Sequence, residues 1–241
     1  QYFITTHSAT LMNSLGVDLF EVKLNNGQSI VRKILTNQGK ISLLKSLGYN
    51  ASDLLQTNAI IWVEGPSDVV YFRHWISQYD PKVKFEIHYS IMTYGGENLR
   101  YYTLNDDDED ERINIMKFNH KNIIIMDSDK DSDEDPISDE KQRICNEFDQ
   151  YTEENGFYWI TEGREVENYL DPDIVEEVIV RICPQAQRLH DKSKYGNYYK
   201  FDQEDGTIGK FRKMRLAYEV TKQPLSLGQL DLNENLNRLT Q

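Results

Sequence analysis

Hydrophobic and polar positions change period along this chain, and the changes outline its elements. "AIIWVEG", "KNIIIMD" and "GFYWIT" are short unbroken apolar runs, rich in β-branched and aromatic residues, of the kind that form buried strands. "VKFEIHYSIMTY" reads as a further strand reaching Gly95 and Gly96. Between them lie segments of helical period. "PSDVVYFRHWISQY" has Pro66 at its start and Ser67 or Asp68 in its first turn; "ENLRYYTL" and the amphipathic "DEKQRICNEFDQYTEEN" follow, then "PDIVEEVIVRIC" with Pro172 at its start. After a polar, tyrosine-rich stretch, "IGKFRKMRLAYEVTKQ" predicts a basic helix, and a last helix closes the chain. Strands of the buried kind alternating with helices predict an α/β fold with a mostly parallel sheet, helices on both faces, and helical C-terminal elements.

Ahead of that block the pattern differs. "QYFITTHSATLMNSLG" predicts a strand, a turn and a short helix closed by Gly16. "DLFEVKLNNGQSIVRKI" predicts a hairpin turning at "NNG", and "QGKISLLKSLGYNASDLL" a short amphipathic helix and connector. The boundary is placed near Thr57, which gives a first segment over 1–57 and a second over 58–241. With Gln1 in place of Met and a strand-like start, the chain reads as the C-terminal part of a longer one.

Length and cysteine content narrow the class. The 241 residues suffice for one large domain or two small ones. Cys145 and Cys183 form no CxxC pair, so neither a zinc site nor a disulfide framework is expected. No apolar run reaches membrane-spanning length and no signal peptide is visible, so a cytoplasmic protein with no membrane partner is the expectation.

Charge adds a contrast. The formal net charge is −13, which at first argues against a phosphate-rich partner. Its distribution argues the other way. Arg181 to Lys222 holds ten Lys or Arg against five Asp or Glu, while Asp127 to Glu140 holds eight acids and one Lys. A basic tract with an acidic cluster suits an enzyme that binds a polyanion and holds divalent cations; ordinary fluctuation along an acidic chain accounts for the same composition.

The acids fall where a parallel sheet does its chemistry, at the carboxyl ends of strands. "VEGPSD" places Glu64 and Asp68 there; "MDSDKD" places Asp127, Asp129 and Asp131; "ITEGREVENYL" places Glu162, Glu165 and Glu167. In an extended segment, positions i and i+2 share a side, so Asp127 and Asp129 are expected to converge on one cation. Carboxylates brought together repel unless a divalent ion neutralises them, and oxygen-only donors suit Mg²⁺ or Mn²⁺. Two such ions about 4 Å apart form the clamp used for in-line phosphoryl displacement. Asp68 alone is equally a helix cap, and Asp133 to Glu140, like "NDDDEDER", reads as solvated surface. An EF-hand is excluded: starting from Asp127, Ser132 and Ser138 stand where Gly and a bidentate Glu are required, and a strand precedes the loop where a helix is needed.

The ordered set "IIWVEGPSD", "GG" and "IIIMDSDKD" resembles a Toprim domain, over roughly Asn58 to Val220. "REVENYL" and "KMRLAYEV" resemble the extended Toprim of the OLD (overcoming lysogenization defect) family of nucleases. "YFITTHSATLMNSL" resembles the histidine switch of ABC-type ATPases, in which His7 would contact the γ-phosphate of ATP; on its own, a histidine at a strand end is as readily structural. The phosphate-binding loop GxxxxGK[ST], the Walker B segment and the signature segment are absent, so ATP would bind at a domain lying upstream. The resemblance implies a divalent-metal-dependent DNA endonuclease in an ATP-regulated protein, with DNA as substrate, homo-oligomers formed through the ATPase domain, and a place in anti-phage defence, with a defence partner protein or nucleic acid. It also implies roles. Glu64, Asp127 and Asp129 would hold one metal and Asp68 and Glu167 a second, with Asp131 a weaker candidate and Glu64 open between ligand and general base. A late lysine, Lys213 or else Lys210, would serve the leaving oxygen. The alternative is a non-catalytic Toprim-like module for dimerisation or regulation. "KSKYGNYYKF" interleaves basic and aromatic residues that suit a nucleic-acid backbone, or a polar surface loop.

Overall fold

The structure is a computed structural model, and it describes residues 19–25, 27–34, 57–105 and 112–241. His7 and the elements expected over 1–18 and 35–56 lie outside the described residues. The expected hairpin forms: β1 (Leu19–Asn25) pairs antiparallel with β2 (Gln28–Ile34), Val22 opposite Val31, with Gly27 at φ 78° in the turn.

The second segment is built on a four-stranded parallel sheet. Its strands are β3 (Ala59–Val63), β4 (Tyr89–Thr93), β7 (Asn122–Met126) and β8 (Gly156–Ile160), in spatial order β4-β3-β7-β8. The short parallel pair β5 (Tyr102–Thr103) and β6 (Ile113–Asn114) stands apart from it. Because side chains alternate across a strand, each apolar run feeds two cores. Ile61, Val63, Ile123, Ile125, Phe157 and Trp159 face one side. There they meet α1 (Pro66–Tyr79), α3 (Pro172–Ile182), α4 (Lys213–Val220) and α5 (Leu232–Thr240). Ile60, Trp62, Ile124 and Met126 face the other, against Ile144, Cys145 and Phe148 of α2 (Asp139–Phe148). Burial on both faces explains why these runs carry no polar alternation. The one polar member, Asn122, is fully satisfied: its Oδ1 accepts from Trp62 Nε1 at 2.9 Å and its Nδ2 donates to the Asn119 carbonyl at 2.6 Å.

Several boundaries differ from the sequence reading. The strand expected from Val83 starts only at Tyr89, because the preceding residues turn, with Glu86 at φ 63°. "ENLRYY" forms a 3₁₀ helix, Gly96–Tyr101. The tyrosine-rich region is a three-stranded antiparallel sheet of β9 (Ala186–Leu189), β10 (Lys200–Gln203) and β11 (Ile208–Lys210). The basic helix is accordingly shorter than expected, since Ile208 to Lys210 are strand.

Strand order determines where the site sits. From β3 the chain moves to β4 on one side, and later strands continue on the other through β7 to β8. The connections therefore diverge between β3 and β7, which opens a crevice at their carboxyl ends. Glu64 leaves β3 and Asp127 leaves β7 at that crevice.

Candidate functional site: a carboxylate centre at the strand ends

Each wall of the crevice comes from a strand exit. At the end of β3, Gly65 precedes α1, and its N–H donates to Asp68 Oδ2 at 2.8 Å. Asp68 thus acts as a helix-start anchor as well as a site carboxylate, so the capping role and the site role coexist. Across the crevice, Gly96 adopts φ 47°, and a Cβ placed there would come within 3.2 Å of Glu64 Oε1. The second glycine of "GG" therefore makes room for Glu64, both by backbone conformation and by absent bulk.

At the end of β7, Asp127 is buried and accepts from the Val166 N–H at 2.9 Å. Ser128 straps this exit to that of β8: its N–H donates to Thr161 Oγ1 at 2.8 Å and its hydroxyl to the Gly163 carbonyl at 2.6 Å. The backbone then departs from the extended form. Asp129 sits at φ 57°, its N–H donating to the Arg164 carbonyl at 2.9 Å. The same-side rule for i and i+2 therefore does not govern Asp127 and Asp129. The Asp129 carboxylate instead pairs with Lys141, reaching across from α2, and stays near enough to Glu64 to oppose its ionisation.

The third exit supplies the deepest acids. Glu165 and Glu167 flank the start of a 3₁₀ helix, Val166–Tyr169, with Glu165 buried and Glu167 wholly inaccessible. Lys213, the first residue of α4, pairs with Glu165 Oε2 and stands 3.5 Å from Glu167 Oε2. The other oxygens, Glu165 Oε1 and Glu167 Oε1, are buried without a hydrogen-bond partner.

Electrostatics bind these walls into one unit. Burial, then the neighbouring Asp68, Glu167 and Glu64, pushes the Asp127 carboxyl well above the usual range. Burial likewise raises Glu64, seconded by Asp129 and Asp68, and raises Asp68 against the Gly65 N–H. It lifts Glu167 to about 7 in spite of Lys213. Burial opposes the charge on Lys213, but Glu167 and Glu165 outweigh it and raise its value, keeping it protonated. Lys210 forms no ion pair with these acids among the described residues; it and Lys213 both stand over the Tyr199 ring, at 5.0 Å and 4.9 Å.

Glu64, Asp68, Asp127, Glu167 and Lys213 are thus brought together, with Asp129 at the rim. Two of the sequence candidates stand outside. Asp131 is 80% exposed and pairs with Arg164; Glu162 pairs with Lys194 at 3.3 Å. Asp133 also stays at the surface, accepting from Tyr195 Oη at 2.5 Å. His74, His88 and His190 make local contacts to Gln223, Lys84 and Asp202.

Glu165, named from the sequence beside the preferred Glu167, is more closely held by Lys213 than Glu167 is. The structure adds two residues that sequence reading missed: Lys141 caps Asp129, and the buried Tyr71 hydroxyl has no hydrogen-bond partner. Burial, then Glu167, Asp68 and Glu165, drives the Tyr71 phenol far above its ordinary value. Helical spacing from Asp68 was the available signal for Tyr71, at i+3 on the same face.

No protein-family model, no curated protein and no solved structure matches the chain. Function must therefore be argued from the centre itself. Among the described residues, no three His, Cys, Asp or Glu side chains already stand together as metal ligands. Lys213 and Lys141 supply the positive charge in the present arrangement. The donor chemistry nevertheless fits a hard cation: every acid is an oxygen donor, and two buried carboxylate oxygens lack any other partner.

Proposed function

We propose that this chain carries a divalent-metal-dependent centre for phosphodiester hydrolysis, of the kind found in Toprim nucleases of the OLD type. The observation that supports it most is the convergence of Glu64, Asp68, Asp127, Glu165 and Glu167 from three strand exits into one buried field. Burial opposes their joint ionisation, and a cation of two or more charges relieves that. When bound, Mg²⁺ or Mn²⁺ would polarise the phosphoryl group and lower the pKa of water.

The chain's own residues do the rest. Asp127 is held in place by the Val166 N–H, and together with Glu64 faces the crevice between β3 and β7. Glu64, raised by its surroundings, is the group placed to take a proton from an attacking water. The water oxygen bonds to phosphorus as the bond to the departing sugar oxygen breaks. Lys213, held protonated, neutralises that oxygen or gives it a proton. In the full chain, an ATP-binding domain upstream, with His7 at the γ-phosphate, would regulate the centre; assembly through that domain and a role against phage belong to the same proposal. No helix among the described residues is long and apolar enough to cross a membrane.

The test is cleavage of plasmid DNA by the full-length protein with Mg²⁺ or Mn²⁺. Asp127→Asn and Glu64→Gln should each lower the rate by roughly 10²-fold or more, the scale of losing one electrostatic stabiliser. Folded variants that cut as fast as the parent would remove hydrolysis from this centre. A second reading has an observation of its own: the Lys213 and Lys141 ion pairs already neutralise part of the cluster, as a structural, non-catalytic module would need. That reading requires Mn²⁺ to leave the melting temperature of the protein unchanged.

A further inference from the structure

The small sheet β9–β11 turns one face to the core and the other to solvent, where Asp202 pairs with Arg188 and His190. Along β10 and β11, Phe201 and Phe211 are buried, while the alternate positions Lys200, Lys210 and Arg212 are exposed. Lys200 and Lys210 are direct cross-strand partners. Like charges directly opposite one another destabilise a strand pair. Arg212 follows two residues after Lys210 in extended conformation, on the same side. None of the three forms an ion pair among the described residues, unlike Arg188 and His190, which both engage Asp202.

The helix that follows repeats the pattern. α4 opens with Arg212 at its N-cap, Lys213 at its first position and Arg215 in its first turn, with no acid there. A helix N-terminus carries partial positive charge, so cations are unfavourable at that end. Glu165 and Glu167 compensate Lys213; the described residues offer Arg212 no such partner. Two placements thus concentrate positive charge at Lys200, Lys210 and Arg212, where no ion pair among the described residues offsets it. One aromatic ring connects the strip to the carboxylate centre: Tyr199 is half-buried, with Lys210 5.0 Å and Lys213 4.9 Å from its centre.

We propose that Lys200, Lys210 and Arg212 form a phosphate-binding track that holds a DNA strand and leads it past Tyr199 to the carboxylate centre. The track rests on the nuclease reading for its direction, and it specifies how an acidic protein holds a polyanion. Phosphate contacts of this kind position the strand without reading its sequence. Each removes a counterion, so binding depends on salt in proportion to their number.

The experiment titrates a fluorescein-labelled DNA duplex with full-length protein in EDTA, from 50 to 200 mM salt, by anisotropy. The triple variant K200Q/K210Q/R212Q should lower the slope of log affinity against log salt by about 3, close to one for each lost contact. In cleavage with Mn²⁺ the same variant should raise KM and leave kcat in place. K200Q alone removes the cross-strand repulsion and should raise the melting temperature; its slope, lower than the parent's by about 1, keeps the test decisive if the triple variant folds poorly. Equal slopes for parent and variant overturn the track, as does cleavage with unchanged KM, which would leave the nuclease reading standing. A lost slope in a protein that never cleaves DNA supports the track and removes the nuclease reading. A parent that binds no DNA overturns the track.

Discussion

At the scale of single residues, the centre is a conflict between burial and charge, and its titration should show it. An ordinary glutamate titrates near 4.5; Glu167 is lifted to about 7, first by desolvation and then by Glu165 and Asp68. The folded state therefore holds this proton more tightly than the unfolded chain does. Its contribution to stability is full below pH 4.5 and is lost as pH rises through 7. Glu64, Asp68 and Asp127 are shifted in the same direction. Lys213 stays charged throughout this window and adds no slope. Metal-free protein should thus melt at lower temperature at pH 8 than at pH 5, with Glu167 alone worth on the order of 2 kcal/mol. Mg²⁺ should restore more stability at pH 8 than at pH 5, which differential scanning calorimetry with and without EDTA would measure. Lys213 occupies the same balance from the other side. Lys213→Met leaves Glu165 and Glu167 uncompensated and should cost about 1–3 kcal/mol, the lower part of the range for breaking a buried pair because the side chain is about a third exposed. It should nevertheless tighten Mn²⁺ binding while slowing cleavage, since the lysine competes with metal for the carboxylates. Weaker Mn²⁺ binding by calorimetry would show that Lys213 does not compete.

At the scale of elements, the parallel sheet was legible because its strands are buried on both faces and therefore read as unbroken apolar runs. Glu64, Asp68, Asp127 and Glu167 were legible with it, since strand ends place acids by topology alone. The 3₁₀ turns, the shortened β4 and the small antiparallel sheet were not. β9, β10 and β11 are three or four residues long, too short for alternation to register against their polar surroundings. Asp129 was misplaced for a local reason: its left-handed backbone breaks the same-side rule, and an aspartate tolerates that conformation well enough to give no warning in the sequence. Gly156 marks the opposite case, a glycine whose role appears only in three dimensions. It opens β8 at φ 125°, and a Cβ there would collide with the backbone carbonyl of Asn122, its partner on β7. Gly156→Ala should therefore separate the β7–β8 pair at its start and destabilise the domain by about 3 kcal/mol or more, read as a shift of the urea midpoint. Gly27→Ala, with open space around it, should cost no more than about 1 kcal/mol.

At the scale of the whole molecule, a net charge of −13 must be reconciled with the polyanionic substrate proposed for it. The average field repels DNA, and long-range steering works against association. Screening limits that field to about 10 Å at 0.1 M salt, so what a bound strand meets is the local surface. There the basic track and the carboxylate centre are neighbours of opposite sign, joined through Lys213. Where they ionise without metal, at pH above their raised values, the acids of the centre oppose the very strand that the track attracts. Neutralising them should therefore strengthen binding while abolishing turnover. At pH 8.5, above the value of about 7 to which Glu167 is lifted, Glu167→Gln is expected to bind a DNA duplex more tightly than the parent in EDTA, Asp127→Asn to do so as far as Asp127 is ionised there, and Mg²⁺ should strengthen the parent's binding more than theirs. Uniform acidity predicts something else: loss of one buried acid among 40 acidic residues would leave affinity unchanged. Anisotropy titrations of the two variants at 50 mM salt separate these outcomes, and an unchanged affinity would mean that the bound strand does not approach the carboxylates at all.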